Sequence, residues 1–203
     1  MKKRLIIIGA SGHGKVLLDI ALRNEYEVLG FLDDYSEAEE IAGYPILGKT
    51  SDAEKYKDEA GFIVAIGSNV VRKMIAETYD LNWETLIHPQ AVIGMGVSIG
   101  AGTVVMANAV INPFAEIGKH CIVNTSCVIE HDNRIADYVH ISPGAVLAGT
   151  VTIEKLTHIG VNAVVRNNVA ITSECVVGAG AAVVTNIVEK GIYAGVPARR
   201  IMG

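Results

Sequence analysis

From Ile87 onward, branched aliphatic residues return at every sixth position. The run is Ile87, Ile93, Ile99, Val105, Ile111, Ile117, Val123, Ile129, Ile135, Ile141, Leu147, Ile153, Ile159, Val165, Ile171, Val177 and Val183, seventeen in succession. Two residues before each lies a second column of mostly small residues, Ala91, Val97, Thr103, Ala109, Ala115, Cys121 and Cys127 among them, which Asn133 interrupts. A six-residue period fits neither the 3.6-residue turn of an α-helix nor a simple hairpin meander. It predicts short strands joined by bends and wound into a parallel β-helix, with both columns stacked inward. Gly94, Gly100, Gly118, Gly160 and Gly178 follow aliphatic positions, where a tight bend is expected to favour a missing Cβ.

Before Ile87 the texture changes. Arg4–Ile8 reads as a strand, Gly9–Gly14 as a loop and Lys15–Arg23 as a helix with apolar Val16, Leu17, Ile20 and Ala21. A second strand, Glu27–Leu32, ends in Asp33-Asp34. After a polar stretch come a strand at Phe62–Ile66, the turn Gly67-Ser68-Asn69 and a helix near Val70–Glu77. Strand–helix alternation predicts a small Rossmann-like parallel α/β sheet over residues 1–85, with ligands at the strand C-termini, ahead of a β-helix over 86–203. The loop Gly9-Ala10-Ser11-Gly12-His13-Gly14 offers backbone N–H groups to an anion at a helix start. Its glycines match neither G-x-G-x-x-G nor a P-loop, which argues against a dinucleotide reductase.

Composition sharpens this picture in three places. Aromatic residues are only 5% of the chain, which suits a narrow, repetitive interior, and the net charge of −5 argues against the basic stripe a duplex needs. Nucleic acid is therefore not an expected partner. Residues 91–115 carry no charge and are long enough to span a bilayer, but Gly94, Gly96, Gly100, Gly102, Pro113, Asn108 and Asn112 would make a poor helix; no membrane insertion is expected. Cys121, Cys127 and Cys175 form no C-x-x-C pair and fall in the small column as compact apolar filler, which fits a reducing cytoplasm. The apolar start, Leu5–Ile8, is too short for a signal peptide and runs into Gly9.

The repeat closely resembles the hexapeptide-repeat acyltransferases, whose left-handed parallel β-helix uses three hexapeptides per triangular coil. The resemblance implies slightly more than five coils here and a homotrimer with sites in the clefts between prisms. Gly-Ala-Ser-Gly-His-Gly after the first strand, Asp33-Asp34 after the second and Ile66-Gly67 after a later one resemble the sialic-acid O-acetyltransferase and bacillosamine-pathway acetyltransferase family. That resemblance implies that Ser11, Gly12 and His13 contact phosphates or sugar, Asp33 and Asp34 the uridine part, and Gly67 the sugar of a UDP-sugar. Asp pairs at strand ends are also common turn formers. The co-substrate implied is acetyl-CoA, and the acceptor a UDP-4-amino-4,6-dideoxy sugar, with a sialic-acid-type hydroxyl as the alternative.

Acetyl transfer needs a base, because a protonated amine has no lone pair, and donors for the oxyanion of the tetrahedral intermediate. His131 stands in Asn124-Thr125-Ser126-Cys127-Val128-Ile129-Glu130-His131-Asp132-Asn133, the most polar part of the repeat, with carboxylates on both sides. This segment resembles the family's catalytic one, which makes His131 the base and Asp132 its orienting partner. Asp132 is shorter than the Glu found there in the family, so Glu130 and Asp137 remain alternatives for that role. By the same resemblance His140 contacts acetyl-CoA, and the closing Gly195-Val196-Pro197-Ala198-Arg199-Arg200 segment borders the CoA groove, where Arg199 and Arg200 either pair with its phosphates or form a solvated basic tail. Gly149, one coil from His131, leaves space for the thioester, and Val161 and Ala179 are further candidates for the CoA groove. His158 stands one coil on from His140, but zinc needs three or four ligands and no third is evident, so no metal is expected. The rival readings are a metal-dependent hydratase on the same β-helix and a non-catalytic nucleotide-sugar-binding protein.

Overall fold

The structure, a computed structural model, describes residues 2–202. Strand β1 (Arg4–Ile8) leads through Gly9–Ser11 into helix α1 (Gly12–Arg23), then β2 (Glu27–Leu32), β3 (Glu40–Ile41), β4 (Tyr44–Gly48), a 3-10 helix (Thr50–Tyr56), β5 (Gly61–Val64) and helix α2 (Asn69–Thr78). The sheet runs β3-β4-β2-β1-β5, parallel except for the β3–β4 hairpin. Continuous apolar runs such as Leu5–Ile8, all fully buried, are what a strand covered on both faces requires. Two boundaries differ from the sequence expectation. Helix α1 starts at Gly12 because Ser11, in extended conformation, already acts as its N-cap residue, so His13 sits in the first helical turn. Strand β5 stops at Val64 and the chain leaves the sheet after one last bond, from Ala65 N–H to the Ile8 carbonyl at 2.7 Å.

From Leu86 to Val183 the chain makes seventeen two-residue strands whose second members are the six-spaced aliphatics. They stack in three parallel faces of a left-handed β-helix, each strand pairing with the one eighteen residues on, as His140 does with His158. Both sequence columns point inward and form one dry core that includes the three cysteines. Burial pushes the Cys121 and Cys127 thiols up to about 12, so neither serves as a nucleophile near neutrality.

The bends fall at different glycines from those expected. The left-handed backbone position recurs every six residues at Asn108, Phe114, His120, Ser126, Asp132, Tyr138 and onward, mostly without glycine. Gly100 and Gly118 stand two places earlier and are needed for another reason. A Cβ on either would lie 2.6 Å from backbone atoms of the coil above. Close stacking, not a positive φ, excludes the side chain there.

The three faces differ in what they present outward. The first carries Leu86, Val104, Ile122, His140, His158 and Val176. Its opening residues Leu86, Val104 and Ile122 are buried against α1 and the sheet, so this is the docked face. The second is an apolar face of Val92, Val110, Val128, Val146, Val164 and Ala182. The third presents Ser98, Glu116, Arg134, Thr152 and Ala170 and is the charged face.

Candidate active site

His131 and Asp132 lie in the bend between the apolar and charged faces. The repeat aims both side chains outward, where more than half of each remains exposed. His131 Nδ1 and Asp132 Oδ2 are 2.6 Å apart, so the carboxylate fixes the proton on Nδ1 and leaves Nε2 as the acceptor. Aspartate is therefore long enough to reach the ring of its chain neighbour from this corner position, where its backbone sits at φ 58°. Asp137 is committed elsewhere, accepting from Lys119 N–H at 2.7 Å.

The room that the His131 ring occupies is left one coil up. A Cβ at Gly149 would stand 2.7 Å from both Cε1 and Nε2 of His131. Below the dyad, the fully buried Asn133 that interrupts the small column donates to the carbonyls of Glu130 at 2.6 Å and Ala148 at 3.0 Å. Its side chain therefore ties together the two bends that carry His131 and Gly149.

A second cluster occupies the docked face, where the prism emerges from under the sheet. His140 and His158 stack with ring centroids 4.6 Å apart and planes 2° from parallel. Asn124 accepts from Thr125 N–H at 2.8 Å, which orients its amide so that Nδ2 meets His140 Nε2 at 3.0 Å. Nε2 is then an acceptor, and the neutral ring carries its proton on Nδ1, a buried donor with no partner. Ser142 Oγ meets His158 Nε2 at 2.8 Å. Burial, then repulsion from His158, Arg72 and His13, pushes His140 down to about 3; burial and Arg72 push His13 to about 4. Among the described residues no group of three or more His, Cys, Asp or Glu is placed to hold a metal.

The residues at the strand C-termini have unequal freedom. Ser11 and Gly12 are exposed at the start of α1, and Gly67 is exposed after β5. Asp33 is occupied: Oδ2 accepts from Ala10 N–H, and Oδ1 from Tyr35 and Ser36 N–H. Burial works to raise its pKa, but these three bonds hold it below the ordinary value. It acts as a turn former. Asp34 spends only Oδ1, on Thr50 N–H at 2.9 Å. Val161 and Ala179 stand exposed one coil apart on the edge between docked and apolar faces, and Arg199 is exposed in the C-terminal hairpin.

Residues 4–79 match the family described as PglD N-terminal domain. The acetyltransferase domain of PglB from Neisseria gonorrhoeae, in complex with acetyl coenzyme A, superposes with TM-score 0.94 at 34% identity, over 99% of this chain and 100% of that one. A histidine variant of perosamine N-acetyltransferase from Caulobacter crescentus, in complex with CoA and GDP-perosamine, gives TM-score 0.94 at 30% identity, over 98% and 97%. UDP-N-acetylbacillosamine N-acetyltransferase of Bacillus subtilis is 40% identical over 112 residues, 52% of each chain, so the match spans about half of that curated relative. The chain belongs to the sugar N-acetyltransferase family.

In this acetyltransferase the candidate site residues form two groups on different edges of the prism. His13, Gly67, His140, Val161 and Ala179 gather at the docked face and its edge, whereas His131, Asp132 and Gly149 occupy a different edge of the prism. Sequence reasoning missed Asn124, Ser142, Asn69 and Arg72. The eighteen-residue step placed Asn124 and Ser142 in one column, which was a usable signal; nothing marked Arg72. Among the described residues no helix is long and apolar enough to cross a membrane.

The buried neutral histidines set a pH dependence of stability. His13 and His140 titrate near 6.5 when unfolded but near 4 and 3 when folded, so the unfolded chain takes up protons first as pH falls. Their contribution is complete above about pH 6.5 and is lost towards pH 4, at up to about 1.4 kcal/mol per pH unit for each. The urea midpoint is expected to fall between pH 7.5 and pH 5; an unchanged midpoint would contradict burial of both rings in neutral form.

Proposed function

We propose that this chain transfers the acetyl group of acetyl-CoA to the amine of a nucleotide-linked amino sugar, with a UDP-4-amino-4,6-dideoxy-hexose as acceptor. The observation that carries the reading is the outward His131–Asp132 pair beside the space left by Gly149. The amine lone pair attacks the thioester carbonyl while its proton passes to His131 Nε2. Asp132 stabilises the resulting imidazolium, and a backbone N–H stabilises the oxyanion. Collapse of the tetrahedral intermediate breaks the C–S bond, and the departing thiolate takes the proton from His131. The amide and free CoA are the products, with no acyl-enzyme.

Residues 1–85 hold the nucleotide sugar through Ser11, Gly12, His13, Asp34 and Gly67, with Asp33 shaping the loop. Residues 86–203 hold acetyl-CoA along Val161 and Ala179, with Arg199 near its phosphates and the His140 Nδ1 proton donated to a donor carbonyl. The placement of the two groups of residues on different edges of the prism supports a homotrimer in which His131 of one copy faces the docked face of the next. The apolar face supports this too, because a column of valines along a surface favours burial against another prism. Three unpaired, buried thiols fit a cytoplasmic reaction.

Thiol release from acetyl-CoA, measured with UDP-, GDP- and dTDP-linked amino sugars, tests the assignment. Release is expected with a UDP-linked 4-amino sugar and not with the matching 4-hydroxy sugar. Turnover confined to hydroxyl acceptors would replace N-acetylation by O-acetylation.

A further inference from the structure

The largest fully buried side chain in the molecule is a charged one, Arg72 of α2, at 1% exposure. Its acceptors are neutral: Nε donates to the His120 carbonyl at 2.7 Å, Nη1 to Ile66 and Gly67 at 3.0 and 3.3 Å, and Nη2 to Asn69 Oδ1 and Tyr138 at 2.7 and 3.1 Å. Asn69 in turn donates through Nδ2 to the carbonyls of Leu156 at 3.0 Å and Thr157 at 3.1 Å. His120, Tyr138 and Leu156 are the same left-handed corner position in three successive coils. The β-helix ladder uses their N–H groups on the coil below, and the two side chains take up their carbonyls.

A buried guanidinium without a carboxylate is a poor device for stability, since an apolar side chain of similar volume would avoid its desolvation. Its planar fork does something an apolar residue does not: it holds several carbonyls in fixed positions at once. Two of these, Ile66 and Gly67, belong to the turn after β5, and a third, Tyr138, stands two residues before His140 on the docked face.

We propose that Arg72, with Asn69, is a positioning residue that locks the turn carrying Gly67 to three coils of the prism and so sets the gap between Gly67, which lines the acceptor sugar, and His140, which meets the acetyl donor. This rests on the reading of Gly67 as a contact of the nucleotide sugar and of His140 as a contact of the acetyl donor. The donor groove lies on the prism alone, so loosening the clamp disturbs the acceptor and spares the donor.

The single tryptophan reports on the clamp independently of activity. Trp83 packs edge-on against His120, ring centroids 5.1 Å apart, beside the carbonyl that Arg72 Nε engages. The test compares full-length Arg72→Lys and Asn69→Ala with wild type, the second serving if the first does not fold. Each is expected to raise KM for the nucleotide amino sugar about tenfold or more, to leave KM for acetyl-CoA within about twofold, and to shift Trp83 emission to the red. A structural role alone lowers the folded fraction and leaves both KM values unchanged; that result overturns the proposal. Unchanged Trp83 emission in both variants also overturns it. If the wild-type enzyme accepts no nucleotide amino sugar, the assigned reaction fails instead, and the emission shift still decides whether the clamp exists.

Discussion

His131→Ala is expected to lower turnover by roughly 10²–10⁴, the usual worth of a positioned general base, with little change in either KM. More than half of the imidazole is exposed, so the variant should fold and melt much like wild type. The arrangement of the two residue groups makes a sharper form of the experiment available. If His131 serves the docked face of a neighbouring copy, His131→Ala and His140→Ala chains damage opposite halves of each site. Refolding them together in equal amounts should restore about a quarter of wild-type activity, because random assembly of a symmetric oligomer gives that fraction of intact pairs. A site contained within one chain would show no recovery, and near-wild-type turnover by His131→Ala alone would remove the base assignment.

Gly149→Ala is expected to be nearly as damaging, although it adds a single methyl group. Gly149 does not have a left-handed backbone, so the substitution is not strained by φ, and only the 2.7 Å approach to the imidazole matters. His131 is exposed and can swing aside, which spares the fold. The movement takes Nε2 away from the attacking amine and loosens the 2.6 Å contact with Asp132. A displacement of about 1 Å at a reacting centre can cost on the order of 10²-fold. The expected result is a fall of that size in kcat with the melting temperature almost unchanged. A variant with full activity would mean that the ring does not occupy this position during turnover.

The prism was almost wholly legible because its interior asks the same question of every strand. One aliphatic and one small residue point inward per bend, so the period of the structure is the period of the sequence, down to all seventeen strands. The proposed catalytic pair was legible for a related reason: His131 and Asp132 are adjacent in the chain, and Gly149 is one coil away by counting. Asp33 was harder to read, because its carboxylate points back at Ala10, twenty-three residues earlier, and no local pattern announces that. Arg72 was illegible altogether. Its partners His120 and Tyr138 are 48 and 66 residues distant, and their carbonyls belong to backbone that any sequence possesses.

The regular ladder also means that the location of the chemistry along the prism is fixed by arithmetic. Neighbouring strands lie about 4.8 Å apart, so each extra coil advances everything after it by about that amount. An eighteen-residue duplication placed between Ala115 and Val128 would preserve the hydrogen-bonded rungs, yet it would carry the base one storey away from the sugar. Length variation in such a chain is therefore silent for folding and decisive for turnover, and whole-coil indels give a ruler with which to measure how far the reacting groups can be separated.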